Sequence, residues 1–164
     1  MNVLIALLDE QHIGHRASTD WFRNNLNAGW ASCPITENGT ARIMASPGYP
    51  NPLPVAEVLS RLAQAMEGGD HRFWPDDVSL TDASIIDVSA LLGPKQITDR
   101  YLLALAVRNN GRFVTFDQSM RPTAVVGAKA KHLIQLRGRA SNFCPLRPQN
   151  VWKHSERRKT AGRR

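Results

Sequence analysis

The chain has little cysteine, which limits both the redox chemistry and the metal chemistry expected of it. Two of its 164 residues are cysteines, Cys33 and Cys144, and their separation fits neither a disulfide framework nor a zinc motif. We interpret both as free buried thiols. The five histidines are scattered and have no metal-ligand spacing. These residues therefore indicate neither a disulfide-stabilised protein nor a zinc protein.

Long apolar runs and glycine-rich phosphate loops are also missing from the sequence. No apolar run approaches the roughly 18 residues that a membrane-spanning helix needs. The apolar residues 3–8 are too few for a signal sequence, and no basic residue precedes them. We therefore expect a cytoplasmic protein without membrane association. The lack of a glycine-rich loop disfavours a plain nucleotide-binding α/β domain.

Positive charge is in excess and is concentrated near the C-terminus. The formal net charge is +7, which favours a polyanionic partner. Residues 152–164 hold six Lys or Arg against one Glu. We predict one domain over residues 1–140 and a flexible basic tail over residues 141–164. Such tails are usually solvated ends, and the functional alternative is that this one holds RNA by its phosphates.

The hydrophobic pattern predicts short strands that alternate with helices. Residues 2–8 are apolar on all sides, so periodicity does not choose between a buried strand and a buried helix. Helices are predicted over residues 15–27, 35–45, 55–66, 81–92 and 98–110, and strands over residues 30–33, 72–74, 112–116 and 132–136. This alternation predicts an α/β fold with a parallel sheet covered on both faces.

Three carboxylates follow strands or begin helices in this arrangement. Glu37 follows the strand at residues 30–33, Asp99 lies in the first turn of the helix at residues 98–110, and Asp117 ends the strand at residues 112–116. The carboxyl ends of parallel strands and the helix starts after them share one edge of a sheet. We therefore expect the three side chains to converge there.

Each of these carboxylates also has a purely structural interpretation. Glu37 and Asp99 follow threonines at helix starts, where the helix dipole favours negative charge, and Asp117 suits a turn. Their joint position at one edge favours a functional interpretation, because clustered carboxylates repel one another unless a cation neutralises them. Oxygen ligands suit Mg²⁺ or Mn²⁺, and these ions are common in phosphate chemistry.

The ordered motifs resemble those of PIN-domain nucleases, and most closely the VapC-like toxins of bacterial toxin–antitoxin pairs. They are NVLIALL at residues 2–8, CPITENG at residues 33–39 and TDRYLLALAVRNNGRFVTFD at residues 98–117. The resemblance covers roughly residues 2–140. It implies a three-layer α/β/α sandwich and an endoribonuclease dependent on Mg²⁺ or Mn²⁺. It also implies a homodimer and a cognate antitoxin that blocks the site.

The resemblance assigns roles to five residues. Glu37, Asp99 and Asp117 match the second, third and fourth acids of the family and are the expected catalytic and metal-binding residues. Asn2 matches a polar residue near the site. Thr115 stands two residues before the last acid, where it can support it.

The N-terminal region departs from the family pattern. The family opens with a hydrophobic strand that ends in Asp-x-Asn-[VI]-L, and Asn2, Val3 and Leu4 fit the end of that pattern. Met1 then takes the x position, and the aspartate falls one residue before the chain. We expect a mis-assigned start codon, which the upstream DNA tests. The chain as written is expected to lack the central first strand and to be weakly active and less stable. The alternative function is that of an impaired PIN domain that only binds antitoxin or RNA.

Overall fold

The computed structural model describes residues 1–91 and 93–138. The predicted basic tail, with Cys144, lies outside the described residues. Five helices are described: α1 (Asn2–Leu8), α2 (His15–Asn25), α3 (Pro34–Met44), α4 (Val55–Met66) and α5 (Ile97–Arg108). Four strands are described: β1 (Trp30–Ser32), β2 (His71–Phe73), β3 (Phe113–Thr115) and β4 (Leu133–Gln135). The chain is thus a mixed α/β protein, as the sequence predicts.

The apolar segment at residues 2–8 forms helix α1 rather than a strand. Its buried residues are Val3, Ile5 and Ala6, so most of its circumference is covered by protein. This burial explains why the segment has no polar face and why periodicity alone does not identify it. The helix ends at Leu8, and the backbone of the next residue, Asp9, is extended.

The helix predicted over residues 81–92 is wrong. Residues 81–91 form turns, an isolated bridge between Ile86 and Val125, and one 3₁₀ turn (Val88–Ala90). Asp82 Oδ1 accepts hydrogen bonds from the backbone N–H and the hydroxyl of Ser84, and Asp87 Oδ1 does the same with Ser89. These local bonds offer the backbone an alternative to the helix ladder, and here they replace it.

The strands form two separate parallel pairs within the described residues. Strand β1 pairs with β2, with Trp30 opposite His71, and β3 pairs with β4, with Thr115 opposite Gln135. The prediction of parallel pairing is confirmed, but the described strands do not join into one sheet. The three-layer sandwich therefore stays a prediction.

A cavity of ≈ 710 Å³ separates the two strand pairs. Strands β1 and β3 line it together with residues of α1 and α5, among them Ala31, Val114, Leu4 and Leu102.

Helix α5 runs through the main core and supports the acidic side chain at its start. Seven consecutive residues, from Arg100 to Ala106, are buried. All of these except Arg100 pack in one hydrophobic cluster with Cys33, which precedes α3, and Phe113 on β3. A smaller cluster joins α1, α3 and α4. The buried part of α5 thus begins directly after Asp99, and the helix contacts β3.

Cys33 is a buried free thiol, as predicted. Burial raises the pKa of this thiol. Among the residues that the structure describes, no helix is both long enough and apolar enough to cross a membrane.

Candidate active site

Asp99 and Asp117 are brought together by the packing of α5 against β3. Asp99 lies in the first turn of α5, and Asp117 follows β3. Burial raises the pKa of the Asp99 carboxyl, and the nearby charge of Asp117 raises it further. The Met1 ammonium and Arg100 act in the opposite direction. The charge of Asp117 therefore adds to the effect of burial in disfavouring ionisation of the Asp99 carboxyl.

Thr115, the last residue of β3, contacts Asn2 and the backbone of Asp117. Its side chain is fully buried, at 0% exposure. Its hydroxyl oxygen accepts a hydrogen bond from Asn2 Nδ2 at 3.1 Å and one from the Asp117 backbone N–H at 3.1 Å. The supporting positions expected for Asn2 and Thr115 therefore lie in direct contact, next to Asp117. Their functional roles stay predictions.

One buried oxygen beside Thr115 is unsatisfied. Asn2 Oδ1 has no hydrogen-bond partner among the described residues. A buried carbonyl oxygen without a partner is costly, and such atoms often contact an ion or water. The region around Asn2, Thr115 and Asp117 therefore contains a buried oxygen acceptor that a cation or water can satisfy.

Asp117 also has the structural role that its turn predicts. Its Oδ1 accepts hydrogen bonds from the backbone N–H of Ser119 at 2.7 Å and from the Ser119 hydroxyl at 2.6 Å. These bonds fix the side chain of Asp117 after β3. The structural and functional interpretations are compatible, since a carboxylate has lone pairs beyond those that two donors occupy.

Glu37 occupies a different group at the start of α3. Pro34 begins this helix, and Thr36 Oγ1 accepts a hydrogen bond from the Cys33 backbone N–H at 2.8 Å. The Glu37 carboxylate accepts a hydrogen bond from Ser32 Oγ at 2.5 Å. Ser32 Oγ in turn lies 2.9 Å from His71 Nε2. The first turn of α3 thus directs Glu37 towards the end of β1.

The three predicted carboxylates are only partly united in this structure. Across residues 1–91 and 93–138, no group of three or more His, Cys, Asp or Glu side chains is arranged to hold a metal ion. Asp99 and Asp117 form one pair, and Glu37 faces Ser32 instead. The joint catalytic role of Glu37, Asp99 and Asp117 stays a prediction.

No motif or spacing in the sequence indicates Ser32, His71 or Arg100, although all three adjoin the predicted acids. Ser32 ends β1 and His71 begins β2, so their contact depends on strand pairing across 39 residues. A serine at the end of a strand, five residues before a helical glutamate, is the one signal available for Ser32. The burial of Arg100 follows from the enclosure of α5, which the sequence does predict.

Arg100 is a buried cation with few partners. It is 3% exposed, and its Nε and Nη1 atoms have no hydrogen-bond partner in the described part of the chain. Its Nη2 atom reaches Gln96 Oε1 at 3.4 Å, which is a long hydrogen bond. Buried donors without partners cost free energy, and the attraction between Arg100 and Asp99 opposes that cost.

We expect Arg100→Met to stabilise the protein by about 1–3 kcal/mol, because an unsatisfied buried donor costs that much and methionine has none. The substitution also removes the attraction between Arg100 and Asp99, and this loss opposes the gain in stability. Arg100 has the smallest of the four effects on the pKa of the Asp99 carboxyl. Urea unfolding measures the change. The control is Arg108→Met on the same helix, where an exposed ion pair with Asp77 at 2.9 Å is lost. That loss is expected to stay below about 1 kcal/mol. Destabilisation by Arg100→Met would show that the guanidinium has a partner.

Comparison with known protein sequences shows the family of the chain. No family model and no solved structure matches the chain. The chain is 50% identical over 136 residues to Ribonuclease VapC44 of Mycobacterium tuberculosis strain H37Rv, which covers 83% of this chain and 96% of that protein.

Two further relatives from the same strain are similar over most of their length. Ribonuclease VapC38 is 42% identical over 118 residues, covering 71% of this chain and 82% of that protein. Ribonuclease VapC39 is 38% identical over 128 residues, covering 77% and 92%. The resemblance expected from the motifs is confirmed at this level of identity. The chain belongs to the VapC ribonuclease family.

Proposed function

We propose that the chain is a metal-dependent endoribonuclease and the toxin of a toxin–antitoxin pair. The observation that carries the proposal is 50% identity to a VapC ribonuclease over 96% of that protein's length. The motifs that carry the resemblance include the Asp99 and Asp117 positions, and the effect of the Asp117 charge on the Asp99 carboxyl supports a joint role for them. The substrate is therefore RNA, and the bond broken is a phosphodiester.

The donor set at Asp99 and Asp117 fits a hard divalent cation. The charge of Asp117 disfavours the Asp99 anion, the Met1 ammonium only partly offsets the burial of that anion, and Asn2 Oδ1 has no partner in the described part of the chain, so a further cation would stabilise the group. Mg²⁺ is usually bound through one or two carboxylates, with water and substrate phosphate as its other ligands. We infer that Asp99 and Asp117 hold Mg²⁺ or Mn²⁺. When bound, such an ion polarises the phosphate and lowers the pKa of water.

The remaining residues of the site position groups around this pair. Thr115 fixes the Asp117 backbone and the Asn2 amide through its buried hydroxyl. Glu37, held by Ser32, offers a carboxylate that orients the attacking water and accepts its proton. The burial of α5 keeps Asp99 in place against β3, so the two carboxylates do not need to be ordered by the substrate.

The proposal extends to the fold, the partners and the location of the protein. We infer a three-layer α/β/α sandwich, a homodimer in the cytoplasm and a cognate antitoxin that covers the acidic site. The membership in the VapC family supports the antitoxin. The small parallel strand pairs support the fold class. The net charge of +7 supports RNA binding, because RNA phosphates attract a basic protein.

A second candidate function is binding of antitoxin or RNA without cleavage. The observation that favours it is that the described residues hold no group of three acidic or other ligating side chains arranged for a metal. Under this alternative, Asp99 and Asp117 do not hold an ion tightly enough to support hydrolysis.

We expect cleavage of end-labelled RNA in Mg²⁺ or Mn²⁺ and complete loss of cleavage in EDTA, because the carboxylate pair needs the ion to support the reaction. Gel analysis measures the products, and readdition of Mg²⁺ to the EDTA-treated protein serves as the control. Cleavage that persists in EDTA contradicts the metal-dependent mechanism. RNA retention on a filter without any cleavage in Mg²⁺ or Mn²⁺ supports the binding alternative.

A further inference from the structure

Three side chains form a hydrogen-bonded chain between β2, β1 and α3. His71 Nε2 lies 2.9 Å from Ser32 Oγ, and Ser32 Oγ lies 2.5 Å from Glu37 Oε1. His71 stands opposite Trp30 in the β1–β2 register, and the two rings are 4.4 Å apart between centroids. The parallel strand pairing therefore places an imidazole at a serine that already holds the predicted acid.

The direction of each hydrogen bond follows from the number of protons available. The Ser32 hydroxyl has one proton, and a 2.5 Å distance to a carboxylate is typical of a charge-assisted O–H···O⁻ bond. Ser32 therefore donates to Glu37. His71 Nε2 must then donate its N–H to the Ser32 oxygen, because two acceptors do not bond to each other. His71 is assigned the tautomer that carries its proton on Nε2.

Burial makes this arrangement specific. Ser32 is 2% exposed, so water does not compete for its hydroxyl. A serine hydroxyl rotates freely unless its partners fix it. The N–H of His71 occupies a lone pair of the Ser32 oxygen and leaves the proton directed at Glu37. Without His71, the hydroxyl loses one of the two constraints on its direction.

We propose that Ser32 and His71 are positioning residues, with His71 acting through Ser32 to fix the carboxylate of Glu37 for RNA cleavage. The inference rests on the proposed function, since Glu37 acts on RNA only if the chain is a nuclease. Neither Ser32 nor His71 touches the Asp99–Asp117 pair in the described contacts, so their effect is transmitted through Glu37 alone.

Four variants separate positioning from simple structural support. Ser32→Ala removes both hydrogen bonds, and Ser32→Thr keeps the hydroxyl. His71→Phe keeps a ring against Trp30 but removes the donor, and His71→Gln restores an N–H at the distance of Nε2. We expect Ser32→Ala and His71→Phe to lower kcat about 10–100-fold with little change in KM, because a displaced reacting group costs rate rather than binding. Ser32→Thr and His71→Gln are expected to recover most of the loss.

Two outcomes of the kinetic experiment contradict the proposal. The first is a wild-type kcat for His71→Phe. The second is a loss in His71→Phe that His71→Gln does not recover and that parallels a fall in Tm, which is the result of structural support alone. Recovery by His71→Gln at unchanged Tm supports positioning.

An NMR measurement tests the hydrogen-bonded chain without RNA. In ¹⁵N-histidine-labelled protein, His71 is expected to show the Nε2–H tautomer with a slowly exchanging proton, and Ser32→Ala is expected to accelerate that exchange. The Nδ1–H tautomer in the wild-type protein overturns the assigned direction. If the wild-type chain cuts no RNA and this signature is present, the nuclease proposal fails while the His71–Ser32 contact stands. If RNA is cut and the signature is absent, the positioning inference alone fails.

Discussion

Asp99→Asn is expected to lower the rate of RNA cleavage at least about 100-fold and to stabilise the metal-free protein. Loss of a group that only orients a metal ligand commonly costs about 10–100-fold, so loss of a ligand should cost at least as much. The stabilisation has a separate cause. The Asp99 carboxyl is destabilised as an anion by burial and by Asp117, and an amide of the same shape is not.

The stabilisation depends on pH in a defined direction. The pKa of Asp99 is raised in the folded protein above its ordinary value of 3.8. As pH rises above 3.8, the unfolded chain releases this proton first, which favours unfolding. The difference in unfolding free energy between Asp99→Asn and wild type therefore grows with pH through the folded pKa and is constant above it. Below pH 3.8 the carboxyl is protonated in both states, and this difference disappears.

Urea unfolding in EDTA at several pH values measures this difference, and RNA cleavage in Mg²⁺ measures activity. Mg²⁺ should raise the Tm of the wild type, because an ion that binds the folded state stabilises it, and should raise that of Asp99→Asn far less. Asp20→Asn is the matched control, since the Asp20 side chain is 61% exposed and lies on α2, far in sequence from Asp99. Cleavage by Asp99→Asn at the wild-type rate would show that Asp99 has no role in the mechanism.

The elements that position the site could be predicted where periodicity is strong. Helix α4 begins and ends where its apolar spacing indicates, and the enclosed character of α5 follows from its lack of a polar face. The segment at residues 81–92 could not be predicted in this way, since side-chain bonds from Asp82 and Asp87 compete with the helix ladder. Periodicity reports burial of a face, and it does not report such local competition.

The sequence predicts which acids belong to the candidate site, and their joint role stays a prediction. The charge of Asp117 acts on the Asp99 carboxyl, which is compatible with the expectation that a helix start and a strand end share one edge. The contact of His71 with Ser32 depends on the β1–β2 register across 39 residues. No spacing rule along one chain gives that register. The orientation of Glu37 towards Ser32 is likewise a side-chain choice that sequence position leaves open.

Leu103→Ala is expected to destabilise the protein by about 2–5 kcal/mol, the range for buried leucine truncations that leave a cavity. Leu103 is 0% exposed at the centre of α5 and packs in the main core. The control is Leu59→Ala on α4, where the side chain is 50% exposed. Alanine and leucine have similar helix propensities, so this control is expected to change stability by no more than about 0.5 kcal/mol. Urea unfolding measures both variants.

The Leu103→Ala variant also separates the support of the site from its chemistry. Leu103 and Asp99 lie one turn apart on α5, yet their substitutions should change stability in opposite directions. Well below its Tm, Leu103→Ala should keep the Mg²⁺ dependence of cleavage and the Mg²⁺-induced rise in Tm, because both carboxylates are intact. Asp99→Asn should lose both while gaining stability in EDTA. A loss of Mg²⁺ response in Leu103→Ala at temperatures where it is folded would show that the core sets the spacing of Asp99 and Asp117, and that the pair does not act as an independent site.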